Sequence, residues 1–127
     1  MSLSGEIRLL AGELAKAAQE ELDAWKPDSE GHDELFGHGG ACDAISQRLG
    51  GVLVERLEGI ELAEGGWEGD DHAFVLATRG GESVAVDIPA FLYERGGGYS
   101  WRKIEGVKLE AQDVVVEEIS LGVGGVG

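Results

Sequence analysis

Three residues of this chain have the types and the order that thiol chemistry needs. Cys42 stands in Gly39-Gly40-Ala41-Cys42-Asp43-Ala44-Ile45, His72 in Asp71-His72-Ala73-Phe74-Val75, and Asp87 in Ala85-Val86-Asp87-Ile88-Pro89. They offer a nucleophile, a base and an orienting carboxylate. An unperturbed thiol titrates near about 8.5 and is only a few per cent thiolate at neutral pH, so it needs a cation or a helix N-terminus beside it. The glycine pair sets Cys42 at the first turn of an expected helix, where free N–H groups stabilise an anion. His72 as imidazolium would complete an ion pair, with Asp87 fixing its tautomer and supporting its charge. The Cys42 N–H is a candidate oxyanion donor. The second donor stays open, since Gln47 lies about a turn too far along the helix.

Each of the three also has a purely structural reading. A lone cysteine is most often a small buried hydrophobe, a strand histidine can simply face water, and an aspartate ahead of Ile88-Pro89 suits a turn. His32, His38, Cys42 and Asp43 match no strong zinc spacing, so neither a metal nor another cofactor is expected.

The elements that must position the trio follow from periodicity. Ile7, Leu10, Ala11, Leu14, Ala18, Leu22 and Trp25 recur at spacings of three and four, which predicts one amphipathic helix ending before Pro27. From about Lys26 to Gly40 the pattern is lost among Pro27, Asp28, Ser29, Gly31, Gly37, Gly39 and Gly40, the signature of a loop. Helical spacing returns from Ala41 with Ile45, Leu49, Val52, Leu53 and Leu57. Gly50-Gly51 inside it costs roughly 1 kcal/mol per glycine relative to alanine, and marks a kink or a close helix contact. A β-rich half follows, with strands expected at Ile60–Ala63, His72–Arg79, Glu82–Ile88, Trp101–Leu109 and Asp113–Ser120, and a helical turn after Pro89.

Gly80-Gly81 allows the site to be tested on paper. A two-residue glycine turn pairs Arg79 with Glu82 and, counting back, Phe74 with Asp87. His72 then faces Pro89, and Asp87 becomes its diagonal neighbour at roughly 7–8 Å, close enough for their side chains to hydrogen-bond. His72, Phe74 and Leu76 share a face with Asp87, Ala85 and Ser83, while Ala73, Val75, Ala77, Val84, Val86 and Ile88 make the other face wholly apolar.

Composition sets the outer bounds. The 127 residues are 43% hydrophobic, enough for one core, and predict a single α+β domain over residues 1–121 with a disordered glycine-rich tail over 122–127. That tail has the glycine spacing of a dinucleotide fingerprint but no helix after it to receive a pyrophosphate. Ten Lys and Arg against 25 Asp and Glu leave a net charge of −15, which repels nucleic acid and anionic membranes. No signal peptide or membrane-spanning stretch is expected, and one cysteine excludes an internal disulfide, so a cytoplasmic location is predicted. Nothing in the sequence fixes the oligomeric state.

From Gly39 to Pro89 the chain resembles the papain-like and transglutaminase-like thiol hydrolases. A glycine-preceded cysteine opening a helix, a histidine starting a strand and an aspartate ending the next form that core in miniature. Ala41 stands where the family often has an aromatic residue, and Phe74 where a tryptophan soon follows the histidine. The resemblance implies a helix bearing the nucleophile packed on a small antiparallel sheet, with Cys42 as nucleophile, His72 as base and Asp87 as orienting acid. It implies acyl transfer through a thioester, on a peptide, protein or small amide substrate. Gly40, Trp67 and Tyr99 are the candidate substrate-binding positions; Trp67 is flanked by glycines just ahead of His72. The competing class is a non-catalytic module on the same fold that binds a basic protein through its acidic surface.

Overall fold

The computed structural model of the chain describes residues 2–25, 42–66, 73–97 and 100–119. Three helices come first: α1 (Leu3–Leu9), α2 (Ala11–Ala24) and α3 (Cys42–Arg56). Six strands follow: β1 (Glu61–Gly66), β2 (Ala73–Arg79), β3 (Glu82–Asp87), β4 (Glu94–Gly97), β5 (Ser100–Lys103) and β6 (Val115–Glu118). The main sheet is antiparallel in the order β1-β2-β3-β6, and β4 and β5 form a separate hairpin.

The single N-terminal helix expected from spacing is two. Leu10 leaves helical geometry at φ −94° and ψ 3°, its N–H bonding back to Ile7, and α2 starts at the next residue. A break this short preserves the three-and-four spacing, which is why periodicity conceals it. Polar anchoring holds α1: Ser2 caps it through the Gly5 N–H, the Leu3 N–H donates to Glu82 at 2.8 Å, and buried Ser4 donates to Glu118 at 2.7 Å. The Arg79 guanidinium pairs with Glu6 beside them.

The β2–β3 hairpin has the register that Gly80-Gly81 predicts, with Arg79 opposite Glu82 and Val75 opposite Val86. Both glycines have positive φ, +57° and +84°, as a type I′ turn requires. Alternation then separates two faces. Val75, Ala77, Val84 and Val86 join Ile7, Leu14, Leu22, Ile45, Leu49 and Leu53 in one core, so the helices cover that apolar face. Each such Leu or Ile contributes about 1.5–3 kcal/mol by leaving water. Phe74, Ser83 and Ala85 are buried on the opposite face.

The helix-contact reading of Gly50-Gly51 is corrected. α3 runs unbroken through Gly50-Gly51, and the close neighbour there is a strand instead of a helix: a Cβ at Gly50 would sit 3.2 Å from Leu62 Cδ1 of β1, and one at Gly51 would meet nothing. Gly96 and Gly97 belong to β4 and pair with Trp101 and Ser100, and the strand expected over Trp101–Leu109 ends at Lys103. Further along, the Leu109 N–H donates to Gln19 of α2 instead of to a strand. The helical turn after Pro89 is present as a 3₁₀ turn over Ala90–Leu92.

Candidate active site

The connections decide which end of the sheet each residue reaches. A short link joins α3 to β1, and Arg79 at the end of β2 donates to the Glu58 carbonyl in that link at 3.3 Å. The C-terminus of α3 therefore lies at the Arg79 end. At about 1.5 Å per residue α3 runs roughly 21 Å, close to the length of the seven-residue β2 at about 3.4 Å per residue. Its N-terminus, Cys42, thus falls at the opposite end, where β1 finishes at Gly66, β2 begins at Ala73 and β3 finishes at Asp87. The helix packs directly on β2 along the way.

Asp87 is half-buried and stands opposite Val115 of β6. It is on the sheet face turned away from the helices, shared with Phe74 and Ala85. A thiol on α3 meets a group on that face only around the end of the sheet, where β1 has stopped at glycine. At that end a Cβ on Gly65 would come within 2.5 Å of the Phe74 ring, so the ring fills the space its missing side chain leaves. His72, Gly40, Trp67 and Tyr99 lie outside the described residues, as does the side chain of Cys42. The tail over 122–127, and His32 and His38 of the metal alternative, lie outside them too. Among the described residues no three His, Cys, Asp or Glu side chains gather to hold a metal.

A groove of about 450 Å³ runs from this end between α3 and β1. Ser46 and Gln47, one turn past Cys42, line it with Gly50, Gly51, Val54, Leu62 and the first buried residues of β2, Phe74 and Val75. This groove escaped the sequence reading. Its signal was the Gly50-Gly51 pair, which narrows α3 where Leu62 approaches.

Among the described residues, the one resolved shift in protonation lies away from this region, at exposed Arg56, which Glu13 of α2 holds more firmly charged through a hydrogen bond and its negative charge. Among the described residues no helix is long and apolar enough to cross a membrane. Compared with protein-family models, with curated proteins and with solved structures, the chain finds no match.

Proposed function

We propose that the protein is a thiol hydrolase or acyltransferase of papain-like or transglutaminase-like type, acting on a peptide or amide bond with Cys42, His72 and Asp87. The observation that carries this reading is the convergence of the α3 N-terminus, the start of β2 and the Asp87 end of β3 at one end of the sheet. Cys42 heads a 15-residue helix, so its thiolate gains from the unpaired N–H groups of the first turn.

The Cys42 thiolate attacks the substrate carbonyl carbon, and its electron pair forms the C–S bond while the carbonyl π pair moves to oxygen. On collapse the C–N bond breaks and the leaving amine takes the proton held by the His72 imidazolium. Water or a second amine then gives its proton to His72 and attacks the thioester, and the C–S bond breaks to return the thiolate. Asp87 keeps the imidazole in the orientation that both transfers use. The net charge of −15 opposes thiolate formation, which makes the imidazolium the decisive local partner.

Incubation with 4-nitrophenyl acetate tests the reading. One hydroxylamine-labile acetyl group is expected on Cys42 by mass spectrometry, and much less in His72→Ala. Acetylation only at lysines, or equal labelling of Cys42 in both proteins, would oppose it.

A further inference from the structure

We propose that α1 is an exchangeable element: two copies of this chain swap it, each straightening α1 and α2 into one helix and docking its α1 on the sheet of the other copy.

The α1–α2 junction carries no local signal for a break. Residues 8–12 read Arg8-Leu9-Leu10-Ala11-Gly12, without proline or a capping Ser, Thr, Asp or Asn, and Leu10 makes no side-chain cap bond to α2. Ile7, Leu10, Ala11, Leu14, Ala18 and Leu22 keep one apolar stripe if the helix runs straight. Straightening also joins the Ala11 N–H to the Ile7 carbonyl and the Glu13 N–H to the Leu9 carbonyl, bonds that the break between Leu9 and Ala11 interrupts. Local preference therefore favours one helix, and tertiary docking two.

A second copy supplies the docking contacts equally well. α1 reaches residues 79–118: the Leu3 N–H donates to Glu82, the Ser4 hydroxyl to Glu118, Arg8 to the Val116 carbonyl at 3.2 Å, and the Arg79 guanidinium to Glu6, with Leu3 and Ile7 wholly buried. None of these polar partners belongs to α2, so carrying α1 to another copy keeps them and changes the hinge alone. A connection of one residue is the short hinge that invites exchange. It also forces the two exchanged helices to cross close together at Leu10, where each covers Leu9 of the other. Among the described residues no large apolar side chain is more exposed than Leu9, at 73%. The exchanged contacts lie at the Arg79 and Glu82 end of the sheet, so the Asp87 end of each copy stays open.

Refolding from urea at rising protein concentration tests this, with native mass spectrometry to count dimers and one protein of each mixture isotope-labelled. The parent should give monomer and a dimer whose share grows with concentration. Leu10→Gly penalises the straight helix at both hinges and should raise the dimer dissociation constant at least about fivefold. Glu6→Lys and Arg79→Glu each set like charges against each other in a monomer or homodimer, but exchange between the two variants pairs opposite charges at both contacts. Their mixture should give heterodimer at least about tenfold above either homodimer, against about twofold by chance. The chain carrying both substitutions pairs normally with itself, so its mixture with the parent should show the reverse, a heterodimer depleted below chance. This second mixture decides where a single variant does not fold. Monomer alone up to about 1 mM, or heterodimer at the chance level in either mixture of folded proteins, would overturn the proposal.

Discussion

Replacing Gly65 by alanine should destabilise the start of β2 through one identifiable ring. The new Cβ would lie 2.5, 2.6 and 3.1 Å from Cζ, Cε2 and Cε1 of Phe74, against an ordinary carbon contact of about 3.5–4.0 Å. The ring must retreat by about 1 Å, yet Phe74 is only 6% exposed and has little room to do so. Overpacking of this kind costs about 1–3 kcal/mol. In a domain of this size that lowers the melting temperature by roughly 3–6 °C for each kcal/mol. Phe74→Leu alone should also destabilise, through lost burial, but it removes the obstacle, so Gly65→Ala in that background should cost little. Urea denaturation of the four proteins gives the coupling directly, expected at about 1–2 kcal/mol. The same cost in both backgrounds, or no cost in either, would refute the account of Gly65 as the position over which the Phe74 ring packs.

Gly51→Ala fills open space in the middle of α3 and should stabilise the protein by about 1 kcal/mol in thermal melts, whereas Gly50→Ala pushes on Leu62 and should gain less. Gly81→Ala places a side chain at φ +84° and should cost about 1–2 kcal/mol by urea denaturation. Ser4→Ala removes the hydroxyl that donates to Glu118 from a site 1% exposed. It should cost about 1–2 kcal/mol and speed hydrogen exchange in α1 ahead of α2.

The β2–β3 hairpin was legible because Gly80-Gly81 admits one tight turn and the apolar alternation around it admits one register. The last helix was legible from Ile45 to Leu57, because its buried stripe is regular. The break at Leu10 was hidden by spacing that a one-residue interruption leaves intact, and the groups that anchor α1, Glu82 and Glu118, lie far along the chain. β4 was hidden because Glu94-Arg95-Gly96-Gly97 has no alternation, and pairing with β5 supplies its order. For the site, chain order alone suggested Cys42, His72 and Asp87. That α3, β2 and β3 bring their relevant ends together depends on the short α3–β1 link and its bond to Arg79, a tertiary contact. The groove depends on a glycine meeting a leucine 12 residues later, which no periodicity reveals.

The pH profile of iodoacetamide alkylation at Cys42, in the parent protein and in His72→Ala, tests the thiol-hydrolase reading most directly, since the chain has one cysteine. An imidazolium partner lowers the thiol pKa, so fast alkylation should persist below pH about 7 in the parent and disappear in His72→Ala. An unshifted profile in both proteins, or no reaction without denaturant, would contradict the account and leave Cys42 a packing residue.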